Sequence, residues 1–250
     1  MTTYNSGLLK NGLAYSISAS RRWGNEGFVE ATLYDAFSLF GALSYNFNDK
    51  HSLNATAIYA PSRKGQTTAI TERVYNEFGS SYNPYWGWQE DEKRNSTISQ
   101  FKAPIFILGH RFKNEKSSVT TNISYQTVNQ KNSRLDYTSA PNPYPNYWKY
   151  LPEIQKNSQI NWLGLYEINL NDTNLPDGGS ARYLLYDHVK NDNIFTANTL
   201  LNQGINKNTS LDFGVSFKNS KSNNYASPKD LLGATFFNDV NLFTPIDGKP

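Results

Sequence analysis

Phe37-Ser38-Leu39-Phe40-Gly41-Ala42-Leu43-Ser44-Tyr45-Asn46-Phe47 is the stretch that decides the fold. Phe37, Leu39, Leu43, Tyr45 and Phe47 fall on odd positions; Ser38, Ala42, Ser44 and Asn46 fall on even ones. A period of two sends the first set to one face of a strand and the second to the other. The polar face of a soluble sandwich would normally carry more Lys and Glu. Small neutral groups instead suit a wall with hydrocarbon on one side and a wet or filled interior on the other.

The same pattern recurs on both sides of this segment. Leu13–Ser20 and Val119–Gln126 alternate clearly, as do Leu211, Phe213, Val215 and Phe217 against Asp212, Gly214, Ser216 and Lys218. Leu53–Tyr59 alternates more weakly, and residues 99–112 (with Pro104), 193–202 and 2–9 are less regular. Together they predict about eight strands. Short polar turns at 10–12, 48–51, 113–117 and 203–208 join neighbouring strands as hairpins do. Between the hairpins lie long connections at 24–34, 62–98, 129–192 and 219–250. A compact soluble domain rarely carries several such loops. A membrane barrel does, because lipid forbids unpaired backbone only within its own thickness. Tyr45, Phe47 and Phe112 precede short turns, and Trp23, Tyr34, Phe37 and Tyr59 lie near the opposite strand ends, as two aromatic girdles would. The competing account of these rings is packing inside a soluble sandwich.

Bulk properties bound the function. Hydrophobic residues make up 38% of the 250, yet aromatic residues reach 14%, which speaks against disorder. A net charge of +3 with scattered Lys and Arg gives no basic stripe for nucleic acid, so no nucleic-acid partner is expected. The absence of cysteine excludes thiolate metal sites and cysteine nucleophiles. No apolar run is long enough for a membrane helix, so a membrane role must use strands. The polar start at Met1 is no signal peptide, and 247–250 lies in a loop. These two features lead to the expectation of a piece of a longer barrel, with further strands on both sides.

No constellation for catalysis stands out. There is no G-x-S-x-G, and the acids sit in loops without a frame, so an enzyme is not expected. His51, His110 and His188 show no metal-ligand spacing; metal and cofactor are both expected to be absent. Glu90-Asp91-Glu92 followed by Lys93-Arg94 reads as a solvated charge run, and Asp177-Gly178-Gly179 as a turn. The candidate ligand contacts are loop aromatics: Tyr82, Tyr85, Trp86 and Trp88 in one loop, and Tyr144, Tyr147, Trp148 and Tyr150 in the other. Such rings stack on sugars or chelates, and equally well pack loops against one another.

An ordered series of segments resembles TonB-dependent receptors of the type that carries an N-terminal carboxypeptidase-regulatory-like domain. They include Ser20-Arg-Arg-Trp-Gly-Asn-Glu-Gly27, Thr32-Leu-Tyr-Asp-Ala-Phe-Ser38, Asn48-Asp-Lys-His-Ser-Leu53 and Ala60-Pro-Ser-Arg-Lys-Gly65. Further along come Tyr82-Asn-Pro-Tyr-Trp-Gly87 with Lys93-Arg-Asn95, Pro143-Tyr-Pro-Asn-Tyr-Trp-Lys-Tyr-Leu-Pro152, Tyr186-Asp-His-Val-Lys-Asn-Asp192 and Asp230-Leu-Leu-Gly233. The resemblance implies a barrel of about 22 strands in the Gram-negative outer membrane, closed by a plug. It implies active uptake of a scarce ligand such as a siderophore, cobalamin or glycan, driven by a TonB complex. No plug and no TonB box match here, so residues 1–250 correspond to part of the barrel, with lipid and an unknown small ligand as its direct partners. The expected fold is therefore an all-β, antiparallel, up-and-down transmembrane barrel segment with long external loops. The alternatives are a small complete outer-membrane barrel or adhesin, and a secreted all-β glycan-binding module.

Overall fold

The computed structural model describes residues 1–137, 140–171 and 179–239. One antiparallel sheet dominates it. Eight strands follow a simple meander: β1 (Thr2–Asn5), β2 (Leu13–Gly24), β3 (Tyr34–Asn46), β4 (His51–Tyr59), β9 (Ile105–Lys113), β10 (Ser117–Asp136), β11 (Leu184–Asn206) and β12 (Thr209–Asp230). The expected strand number and up-and-down order both hold. The sheet is open among the described residues: β1 and β12 are its two ends and do not pair with each other.

Between β4 and β9 the chain adds β5 (Ser62–Gly65), α1 (Glu72–Phe78), a hairpin of β6 (Trp86–Gln89) and β7 (Glu92–Asn95), and β8 (Ile98–Lys102). β5 pairs with β3 and β8, and β8 also pairs with β10. The register of β4 on β3 carries straight through into β5, and that of β9 on β10 into β8. β4–β5 and β8–β9 are therefore two long strands, interrupted at Pro61 and Pro104. Proline lacks the N–H a ladder needs, yet its carbonyl still accepts. Phe37 N–H donates to the Pro61 carbonyl and Thr127 N–H to the Pro104 carbonyl, both at 3.3 Å.

The short turns close by one device. Asn48 Oδ1 accepts the N–H groups of Lys50 and His51, and Asn114 Oδ1 those of Lys116 and Ser117. Asn11 and Asn206 cap Leu13 and Asn208 in the same way. These are side-chain-closed turns, and they account for part of the chain's high asparagine content. Gly12 is required for a second reason. It holds φ +80°, and a Cβ there would meet the Asn46 carbonyl oxygen at 2.6 Å.

The register defines two faces. Tyr15, Leu43, Ala55, Leu108, Ile123, Ala197 and Phe217 lie opposite one another in one row across the sheet. Leu43 is 41% exposed, Ile123 42% and Phe213 60%. Among the described residues no second sheet packs on this face, so they form no sandwich core. Phe47 stacks edge-on with Tyr45, and Phe112 packs against His51, at the short-turn end. Phe37 and Tyr59 meet edge-on nearer the other end. The opposite face carries Ser16, Ser44, Asn54, Asn122, Asn198 and Ser216, but it is not uniformly polar. Ser18, Phe40, Ile58 and Ile105 form a largely apolar row across it.

Three of the expected loops are shorter than the sequence suggested. β10, β11 and β12 run for 20, 23 and 22 residues, about twice the ~9–11 that cross a bilayer's hydrocarbon. Residues 129–136, 184–192 and 219–230, read as loop, are ladder. Asn129–Arg134 and Asn219–Asn224 are polar on both faces, and the adjacent Leu184 and Leu185 are apolar on both, so alternation vanishes while pairing continues. Likewise 62–65 is strand, and the turn at 203–208 contracts to Lys207-Asn208. The turn at 177–179 lies mostly, and the segment 247–250 wholly, outside the described residues.

Candidate functional site

The chain's dry core sits in the long connections and on the adjoining ends of β10 and β11, which together form a cap over one end of the sheet. Leu135, Ile160, Trp162, Leu165, Tyr183, Leu185 and Leu232 make one buried cluster; Val74, Tyr82 and Ile154 make another. The helix α2 (Trp162–Asn171) supplies Trp162 and Leu165 to the first.

Three buried asparagines clip the cap together. Asn83 Nδ2 donates to the carbonyls of Glu30 and Gln66, and Asn95 Nδ2 to those of Ala31 and Gln66. Asn169 Nδ2 donates to the carbonyls of Tyr183, Leu231 and Leu232, while its Oδ1 accepts from the N–H groups of Arg182 and Tyr183. Each satisfies loop backbone that would otherwise be buried without a partner. Among the described residues, no buried side-chain nitrogen or oxygen lacks a hydrogen bond.

A second tie joins the β6–β7 hairpin to α2 and to the end of β12. The Arg94 guanidinium lies over the Trp162 ring at 4.4 Å and meets Asp230 Oδ2 at 2.5 Å, while Trp162 Nε1 donates to the Arg94 carbonyl. Partial burial pushes the Asp230 carboxyl up, but Arg94, the Leu232 N–H and the Tyr166 hydroxyl outweigh it and hold it below the usual range. Lys93 Nζ contacts Glu26 at 2.8 Å. That contact, with the Ala31 N–H, lowers the Glu26 carboxyl.

The eight candidate aromatics separate. Tyr85, Tyr144, Tyr147 and Trp148 come together around one cleft of about 830 Å3, joined there by Tyr137 and Tyr186. Tyr85 and Tyr144 lie 5.3 Å apart between centroids, Tyr147 and Trp148 5.7 Å. Burial pushes the Tyr144 hydroxyl above its ordinary range. Tyr150 touches Tyr147 edge-on but lines a separate hollow with Lys149 and Pro152. Tyr82 and Trp86 are buried supports: Tyr82 donates to the Ser158 carbonyl and stacks on Phe78, and Trp86 Nε1 donates to Glu30. Burial and the nearby Glu30 push the Tyr82 hydroxyl well up. Trp88 is exposed and packs on Trp86 away from the cleft.

Most of the cleft's floor went unseen in the sequence because, Ser99 apart, it lies on strand extensions read as loop. Lys64, Ser99, Asn132, Arg134 and Asp136 line it. The register puts all of them on the face opposite Ile123 and Phe217. The run Glu90-Asp-Glu92 proves to be the hairpin tip, with Glu90 and Asp91 at φ 48° and 55°. His51 and His110, unconnected by spacing, meet at 3.1 Å on the apolar face. His188 stands edge-on to Tyr186. Among the described residues no group of three or more His, Cys, Asp or Glu could hold a metal.

No family model and no curated protein matches the chain. A solved structure does: the ferric-catecholate import receptor Fiu of E. coli K12, in its open form, at a TM-score of 0.57 and 9% identity. The match covers 94% of this chain and 35% of that receptor, so the chain spans about a third of its length. At this identity the likeness concerns the fold alone. The shared fold is an all-β, antiparallel sheet consistent with a segment of a β-barrel.

Proposed function

We propose that this chain forms part of the wall and external vestibule of an outer-membrane, TonB-dependent uptake receptor. Its apolar face meets lipid, and its cap binds a scarce ligand, a siderophore, cobalamin or glycan. Energy coupling would use a TonB contact belonging to another part of the receptor. One observation carries the reading. A single uncovered sheet exposes aliphatic and aromatic side chains on one face, while its polar face leads upward into an aromatic-lined cleft. In water such a wall would aggregate; against lipid it needs no cover.

Neither alternative finds equal support. A closed eight-strand barrel needs β1 paired with β12, a pairing not found among the described residues. A secreted module needs a dry core beneath the apolar face of β2–β4 and β9, and the buried hydrophobics among the described residues lie in the cap and on the adjoining ends of β8, β10 and β11 instead. The test is reconstitution of the chain into outer-membrane lipid vesicles followed by external protease. We expect cleavage confined to the cap and protection of β2–β4 and β9. A chain that stays folded and monomeric in detergent-free buffer would refute the proposal.

A further inference from the structure

We infer that the 830 Å3 cleft takes a short neutral oligosaccharide, held by ring stacking and side-chain amides rather than by charge. This deepens the uptake reading above and rests on it for the cleft's access to the outside medium.

The first argument is the chemistry of the lining. A pyranose presents an apolar C–H face and a rim of hydroxyls, each both donor and acceptor. Tyr144, Tyr147 and Trp148 supply flat apolar surface to the cleft. Asn132, Asn142 and Asn146 supply amides, the side chains that donate and accept through one planar group. The volume falls within the ~300–1,000 Å3 of ordinary small-ligand sites.

The second argument is charge. The ionisable acids and bases at the cleft are Lys64, Arg134 and Asp136, an excess of one positive charge (two minus one). Burial raises the Tyr144 and Tyr186 hydroxyls above their ordinary range, so neither adds a negative charge. A multiply charged anion entering a partly dry cleft needs several charge-assisted partners to replace its water. This lining does not provide them. The solved neighbour is described as a receptor for a ferric catecholate, which is such an anion. The shared fold therefore does not carry a shared ligand class.

The third argument is preorganisation. Asn142 Nδ2 donates to the Tyr137 hydroxyl, and Asn142 Oδ1 accepts the Tyr144 N–H, which fixes the loop carrying the rings. Pro143 and Pro145 stiffen it further. Tyr144 is held against Tyr85 and Tyr137, whereas Trp148 is 66% exposed. A ring fixed in this way offers a stacking surface at little entropic cost.

The test uses the full chain in detergent micelles. Neutral glucose, xylose, mannose and N-acetylglucosamine oligomers are titrated by tryptophan fluorescence and calorimetry, beside a ferric tris-catecholate complex. We expect at least one neutral oligomer to bind, with affinity unchanged between roughly 50 and 500 mM salt, since no ion pair is screened. Trp148→Ala should weaken that binding by about tenfold without unfolding the cap, because the ring is largely exposed. Tyr75→Ala, an exposed ring on α1, should leave it unchanged. Binding of the ferric complex with salt-weakened affinity, or of no probe at all, overturns the inference and leaves the uptake reading intact. Sugar binding by a chain that fails to enter vesicles sinks the uptake reading while the cleft's ligand class stands.

Discussion

The sheet wall and its cap invert the usual relation between order and burial. In the wall, β2–β4 and β9 are regular ladder, and their large side chains are exposed or half-buried, none of them fully buried. In the cap, most of the chain is irregular and it holds the buried clusters. Trp162, Val74 and Leu232 are at most 1% exposed, all outside the sheet. The difference teaches that the two regions use different stabilising physics. The wall is held by interstrand hydrogen bonds and, on the proposed reading, by lipid against its apolar face. The cap is held by apolar burial and by asparagines that satisfy loop backbone. Damage to one should therefore leave the other standing.

The largest expected effect is Trp162→Ala. It empties a fully buried site, removes the platform under Arg94, and should cost the cap about 3–5 kcal/mol. Hydrogen exchange should rise across 66–97 and 140–171, while β2–β4 keep their protection. Loss of protection in the wall as well would break the distinction.

Leu43→Arg probes the opposite region. A cation in the middle of the lipid-facing band should cost about 2–4 kcal/mol in vesicles. Exchange in the cap should not change. If the variant folds into lipid as well as the parent, the apolar face does not meet hydrocarbon.

Acid should act on the cap first. Glu26 and Asp230 both have lowered folded-state pKa values, so their contribution is complete above the unfolded carboxylate range, near pH 4. It is lost as the pH falls below that range, through the folded values. Proteolysis of the cap should accelerate below about pH 4 and be flat between pH 5 and 8. Asp230→Asn should flatten part of that rise.

The smallest effect sharpens the account of the hairpin tip. Glu90 and Asp91 hold positive φ, as a two-residue turn of the type that matches strand twist requires. Glu90→Asn with Asp91→Gly relieves that strain and should stabilise the hairpin by about 0.4–1 kcal/mol. A calorimetric shift of the cap transition to lower temperature would contradict this.

The sequence made the wall legible only where a face is apolar. Leu13–Ser20 and Phe37–Phe47 could be read because alternation records which face is apolar. The stretches of β10 and β12 at 129–134 and 219–224 could not, since backbone pairing leaves no mark when both faces are polar. The cap was legible only as aromatic loops. Rings that line the cleft, such as Tyr144, and rings that merely support it, such as Tyr82, look alike in sequence; partners across 50 or more positions separate them. Asn83, Asn95 and Asn169 were hidden by their number, because the same residue closes the short turns at Asn48 and Asn114.

The most direct test exploits the absence of cysteine. Single cysteines at Leu43, Ile123 and Phe217, and at the adjacent Ser44, Asn122 and Ser216, are introduced into the chain in lipid vesicles. A water-soluble maleimide is then timed at each position. Slow labelling of the first three and fast labelling of the second three is the predicted result. Equal rates, or the reverse order, would contradict a wall between hydrocarbon and a wet interior.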